Sequence, residues 1–382
     1  MKPTVALAIS GFALIAVTYG LARFAWGLML PDITRDIPFT PRVAGIIAAC
    51  SFVAYCLASL GAAPLTQRIG PRYTACVASL CATLGLVLLA IATAPWLLAA
   101  GLFIAGLSAG LASPALAAAV SRVISPDKQP QINTLINAGT GAGIILSVPI
   151  LMLLPGGWRA ACVAFAVCAL ACLYPALRYL PGRGEDDSRA PAPGGVQLRK
   201  MGRLLTVAFI SGVASAAWWS FGPDVLRQHV KVDAQAASML WLVSGGAGIV
   251  GAFTGPLADR IGLNRVYRIS QLCMGVPLLA LAFAGGFSPW LIPAVALCGA
   301  GYITLSGVLL VYAAAASEVP AAGVAAVFLL LAAGQVAGAM LFGAAYAGLG
   351  ATTGLTLFCA LSLLMALLLP GRSTTNVSRA AT

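Results

Sequence analysis

Long apolar runs alternate with short polar breaks along this 382-residue chain. A helix needs about 20 residues to cross ~30 Å of hydrocarbon. Runs of that order occupy 4–30, 42–64, 73–93, 96–121, 130–154 and 158–179. After a polar interval they resume at 204–223, 235–257, 266–285, 289–316, 320–346 and 351–369. The pattern predicts an all-α integral membrane protein of twelve transmembrane helices in two halves of six. Residues 1–180 form the first half, 181–203 a linker, 204–370 the second half and 371–382 a tail. The linker carries Gly182, Gly184, Pro191, Pro193, Gly194 and Gly195 beside Glu185-Asp186-Asp187, the composition of a flexible connection. Met1-Lys2 followed by Val5–Val17 imitates a signal peptide. The apolar stretch continues to Leu30 and further runs follow, so a retained first helix is expected.

Composition agrees with lipid as the solvent. Hydrophobic residues make up 60% of the chain, charged residues only 8%, and the mean hydropathy is +0.97. A soluble domain averages about a quarter charged residues. The net charge of +12 does not point to nucleic acid, because the basic residues lie in short loops rather than on one face. Their distribution instead sets an orientation. With the N-terminus in the cytoplasm, 16 of the 22 Lys and Arg fall inside, five outside (35, 42, 159, 227 and 231), and Arg23 lies within a run. The positive-inside rule therefore puts both termini in the cytoplasm. Ten cysteines lie within apolar runs without a CxxC pair and read as small packing residues. His229 cannot build a metal site alone.

The chain also repeats itself. Gly255-Pro256-Leu257-Ala258-Asp259-Arg260-Ile261-Gly262 has an imperfect copy 192 residues earlier, Ala63-Pro64-Leu65-Thr66-Gln67-Arg68-Ile69-Gly70, with five of eight positions identical. The same offset lays Pro31-Asp32 on Pro223-Asp224. In a membrane protein such duplication points to a transporter. Gly106/Gly110, Gly139/Gly143 and Gly334/Gly338 have GxxxG spacing, and Gly245, Gly246, Gly248, Gly251 and Gly255 crowd the eighth run. Small residues let helices in lipid approach closely, whether for static packing or for sliding during gating.

Six plus six spans, a central linker and the duplicated signature resemble the major facilitator superfamily, whose motif runs Gly-x-x-x-Asp-Arg-x-Gly followed by basic residues. The second copy fits at Gly255, Asp259, Arg260, Gly262 and Arg265. The first keeps Arg68, Gly70 and Arg72 but has Ala63 for glycine and Gln67 for aspartate. Tyr19–Phe24 leading to Leu30-Pro31-Asp32 also resembles a bacterial branch related to cyanate-permease-like carriers. The resemblance implies alternating access between two rocking halves, with the motif residues as a gate. A carboxylate there can cap a neighbouring helix N-terminus or pair with arginine, so Gln67 should latch more weakly than Asp259. Two family patterns are missing. Leu102 stands where the fourth span usually has arginine, and Gly139-Thr-Gly-Ala-Gly143-Ile144 lacks the proline of many proton-driven exporters.

Arg23 is the charge within a run, about 12 Å of helix before Pro31. A charge at that depth costs roughly 3 kcal/mol on insertion scales. It can snorkel to the interface, bond Asp32, Asp224 or a backbone carbonyl, or serve as counter-charge to an anionic substrate. Ionisable groups in membranes usually face the pathway, so a cavity-lining role is expected. Tyr19, Arg23 and Trp26 share one face at i, i+4 and i+7. Asn133, Asn137, Trp218, Trp219, Tyr302 and Gln335 are further candidates for the same cavity, each equally able to serve as an interhelical hydrogen bond or interface aromatic.

No Walker A loop, HExxH or paired buried carboxylate occurs, so an enzyme is not expected. The reading is a secondary transporter without cofactor or metal, carrying a small organic anion or, alternatively, exporting amphipathic drug-like compounds. A non-transporting receptor is the alternative of another class. The expected partners are a small-molecule substrate, membrane lipid and a coupling proton, for a monomer in a bacterial inner membrane.

Overall fold

The computed structural model describes residues 3–126, 128–183, 198–317 and 320–371. These are helical, and no strand occurs among them. Nine segments are long and apolar enough to cross a membrane. Most of the expected linker, 184–197, and the tail from 372 lie outside the described residues. Helix already starts at Leu198, ahead of the apolar run that begins at 204.

The first segment runs without a break through α1 (Pro3–Ile15), a π-helical stretch (Ala16–Phe24) and α2 (Ala25–Asp36). In the π-stretch the Ala25 amide donates to the Gly20 carbonyl, five residues back. That wider winding changes the phase of the side chains, so α-helical spacing no longer decides what Arg23 faces.

The second and third runs form one element, α3 (Pro41–Ala90), bent at Gly70. Thr40 caps its start and Pro41 occupies the first turn, where no amide hydrogen is needed. Gly70 has φ 83°, a left-handed backbone that only glycine adopts freely. The turn receives the chain that follows α7 (Gly157–Ala171) and α8 (Leu173–Tyr179). A side chain at position 70 would meet the Arg183 amide at 2.7 Å. Gly262, at the repeat-related position, has φ 88°.

Between these lie α4 (Pro95–Val123), α5 (Gln129–Asn137) and α6 (Gly139–Leu153), the last two joined at Ala138. The second half comprises α9 (Leu198–Asp224) with a π-turn (Val225–His229), and α10 (Ala234–Ala247). A 3₁₀ stretch (Gly248–Phe253) leads from α10 to α11 (Thr254–Ile261). Then follow α12 (Leu263–Ala282), α13 (Leu291–Ala316), α14 (Pro320–Leu349) and α15 (Ala351–Leu367). The glycine run explains why the eighth segment winds unevenly, since glycine is a poor helix former.

The three GxxxG pairs all sit in tight interfaces. A methyl group on Gly106 would lie 2.3 Å from the Ser51 carbonyl oxygen, and on Gly143 2.1 Å from that of Ala16. One on Gly334 would lie 1.9 Å from the Phe209 carbonyl oxygen. In this conformation these glycines are packing surfaces.

The two halves meet mainly through α3 on α14, α2 on α9 and α6 on α10. At the Asp32 end the fit is closest. Gly45 faces the Ala339 carbonyl, Gly343 faces the Pro41 carbonyl, and Gly27 faces that of Trp219. Midway along, Tyr55 packs with Ala332. At the end carrying the duplicated motif, Gly61 and Gly255 face open space, and α11 packs on α12 and α13 of its own half.

Candidate functional site

Arg23 stands at the centre of the bundle, 6% exposed, so it does not snorkel. Its Nη2 donates to Gln335 Oε1 at 3.2 Å. Its guanidinium lies 4.4 Å from the Tyr55 ring centre, 4.6 Å from Phe52, 5.4 Å from Phe24 and 5.7 Å from Tyr19. Desolvated cation–π contacts contribute up to about 2 kcal/mol each, enough together to offset the insertion cost without a carboxylate. No acid is needed, and none among the described residues pairs with it. Asp32 instead accepts from Arg227 at 2.8 Å.

Gln335 ties this centre to the second half. Its Nε2 donates to the Tyr302 hydroxyl at 3.1 Å and to Ser215 Oγ at 3.4 Å. Position 215 is the repeat counterpart of position 23, so one amide holds the two related points together. Trp219 packs against Phe24, Tyr302 and Trp241 with ring centres 5.0, 5.4 and 5.6 Å apart. Trp218 donates to Ser244 Oγ at 2.9 Å. Tyr19 shares a 2.9 Å hydrogen bond with Ser113.

Of the residues expected from the sequence, Tyr19, Arg23, Trp219, Tyr302 and Gln335 form one connected cluster. Trp26 lines a small cavity with Arg23, and Trp218 joins through Trp241. Asn133 is half-buried and Asn137 exposed on α5, and neither hydrogen-bonds to the cluster. Phe52, Tyr55, Ser215 and Trp241 were not singled out from the sequence. Their positions in apolar runs resemble ordinary core, and only the Arg23 contacts distinguish Phe52 and Tyr55. Among the described residues no group of His, Cys, Asp or Glu could hold a metal.

Of the motif residues, Arg72 is engaged, together with Arg122 outside the motif, while the other charged ones are not. Arg72 Nε donates to the Leu180 carbonyl at 2.8 Å, and Arg122 to that of Gly182 at 2.5 Å. Both arginines thus hold the chain leaving α8 against the Gly70 turn. Gln67, Arg68, Asp259, Arg260 and Arg265 are exposed, and the Asp259 carboxylate has no ion pair or hydrogen bond with the described residues. The expected latch is therefore not engaged in this conformation.

An all-helical bundle of apolar segments around a buried polar centre is the architecture of a multi-pass membrane transporter. The family model of the Major Facilitator Superfamily matches residues 12–343, and the chain belongs to that family. It is 28% identical to a chloramphenicol resistance protein of Streptomyces lividans over 65% of this chain and 66% of that one. A chloramphenicol efflux pump of Mycobacterium tuberculosis is also 28% identical, over 80% and 76% of the two chains. Among solved structures, a variant of the nucleoside transporter NupG superposes with a TM-score of 0.77 at 13% identity, covering 94% of this chain and 98% of that one. The human organic anion transporter MFSD10 superposes with a TM-score of 0.69 at 17% identity, covering 96% and 100%. The protein is thus a transporter and not an enzyme.

Proposed function

We propose that this protein is a secondary transporter that exports amphipathic aromatic compounds by alternating access. The observation that carries the reading is the Arg23 centre, where one guanidinium without a carboxylate partner is enclosed by aromatic rings. Aromatic walls suit a flat apolar solute better than a sugar, which would need many hydrogen-bond partners. The fixed positive charge repels cations. An uncharged or anionic aromatic compound fits both conditions, and chloramphenicol named in two relatives supports the choice. The second reading, a small non-aromatic organic anion, rests on the same guanidinium acting as counter-charge.

Counting the two arms of α3 separately, and adding α12 and α15, brings the nine apolar segments to twelve crossings. With both termini cytoplasmic, the Asp32 end is external and closed, while the motif end is internal and parted. We read this arrangement as an inward-facing state of a monomer. The helix-end acids Asp32 and Asp224 are the candidates for any coupled proton.

The test is uptake of chloramphenicol into everted membrane vesicles, together with resistance of cells expressing the protein. Arg23→Gln should abolish both while the protein remains folded. Arg23→Lys keeps the charge but loses the planar fork, so it should retain partial transport. No uptake and no resistance with the unaltered protein would overturn export of this class. Wild-type transport of an organic anion by Arg23→Gln would overturn the second reading.

A further inference from the structure

Four buried polar atoms in or beside the aromatic centre have no hydrogen-bond partner among the described residues: Arg23 Nε, Trp26 Nε1 and Ser51 Oγ, and Trp241 Nε1, which does not line the cavity shared by the other three. Leaving a buried donor unmade is costly, and three in one place call for an explanation. Arg23, Trp26 and Ser51 are 6%, 4% and 3% exposed, and all three line a single cavity of about 10 Å³ walled by Phe24, Phe52, Leu102 and Trp219. The cation–π contacts occupy the guanidinium through its π-interactions and Gln335 takes Nη2, which leaves the Nε hydrogen over. A volume of this size admits about one water or one oxygen atom. Arginine and tryptophan nitrogens only donate, and a serine hydroxyl can also donate. The cavity is therefore rich in donors: its two nitrogens can only donate, while the hydroxyls of Ser51 and of Ser220, which also lines it, can donate or accept.

A larger crevice of about 380 Å³ beside the start of α10 shows no comparable need. It is lined by apolar groups such as Met239, Leu240 and Phe287, and its acid, Asp233, already accepts from the Ala236 amide at 2.9 Å.

We propose that the small cavity is an acceptor-binding subsite, which takes one oxygen of a nitro, carbonyl or carboxylate group on the exported compound. The inference deepens the export reading and rests on it. The N–H groups of Arg23 and Trp26 and the hydroxyl of Ser51 donate to that oxygen. A ligand presenting an amine in its place leaves these donors unpaired and adds another donor against the guanidinium, so the site rejects it. Trp219 and Ser220 come from the second half and the rest of the lining from the first, so the subsite is complete only while the halves are packed here.

The experiment is calorimetric titration of the purified full-length protein in nanodiscs with chloramphenicol and with its analogue whose nitro group is reduced to an amine. The nitro compound should bind at least about tenfold more tightly. Trp26→Phe and Ser51→Ala should each weaken nitro binding by about fivefold and leave amine binding unchanged. Neither variant should melt below the unaltered protein, because each removes an orphan group. Equal affinity for the two ligands overturns the subsite. So does a lowered melting temperature in both variants with the nitro preference intact, which would assign the three groups to internal structure. Nitro-selective binding without vesicle transport would sink the export reading and keep the subsite. Export without nitro selectivity would do the reverse, and binding of neither ligand overturns both.

Discussion

The two ends of the helical bundle are built from repeat-related residues yet behave oppositely. At one end Asp32 of the first half accepts from Arg227 of the second, and glycines at 27, 45 and 343 bring backbones into direct contact. At the other, Gly61 and Gly255 face open space, and Asp259, Arg260 and Arg265 stand exposed. A closed end thus needs both a cross-half ion pair and surfaces with no side chain between them. The motif end has exposed charges, and its Gly61 and Gly255 meet no neighbour. Arg72, which looks like a gate residue in the sequence, is joined by Arg122 in holding the Leu180 and Gly182 carbonyls within one half.

The strongest way to break the comparison is steric. A side chain at Gly343 would meet the Pro41 carbonyl oxygen at 2.5 Å. Gly343→Leu should keep the Asp32 end from closing and reduce vesicle transport by about tenfold or more, as overpacking costs of 1–3 kcal/mol imply. Labelling of a cysteine placed at residue 42 from outside intact cells should rise with it. Unchanged transport would mean that this contact does not matter to closure.

A smaller effect is expected from the ion pair. Asp32 and Arg227 side chains retain 23% and 20% exposure, so screening limits the pair to at most about 1 kcal/mol. Arg227→Gln should slow transport by about two- to fivefold, with partial recovery when Asp32→Asn is added. A double-mutant cycle on transport rate measures the coupling. Additive losses would show that the two residues act separately.

The smallest effects belong to the parted end. Asp259→Asn should lower turnover modestly without changing the melting temperature of this conformation, because the carboxylate has no protein partner in it. Gln67→Ala should be nearly silent. A drop in melting temperature with Asp259→Asn would show that the latch is already made, and a larger defect from Gln67→Ala would reverse the ranking of the two halves.

Much of the architecture was legible because lipid imposes simple rules. Length and apolarity mark the spans, and the offset of 192 residues lays Gly70 on Gly262, both of which adopt positive φ at a bend. Tyr19, Arg23, Trp219, Tyr302 and Gln335 were recognisable as polar or aromatic groups in expected core helices. Phe52 and Tyr55 were not, since an aromatic residue in an apolar run looks the same whether it packs on leucine or on a guanidinium. Asn133 and Asn137 carried the opposite ambiguity, being polar groups on α5 that the fold leaves outside the cluster.

The sequence by itself determined that lipid surrounds the chain, that it is duplicated, and that one cation is buried among apolar segments. Those are properties of composition, run length and spacing, which need no knowledge of neighbours. Only the tertiary structure decided what Arg23 touches. Its hydrogen-bond partner Gln335 lies 312 residues away, and the π-winding from Ala16 to Phe24 shifts its direction from that of a regular helix. The unpaired donors of Arg23, Trp26 and Ser51 likewise meet at one cavity only because α3, which carries Ser51, packs beside the first segment. Spacing along the chain fixes which residues exist on a helix. Which helices stand face to face, and which polar atoms are left over when they do, is settled by packing.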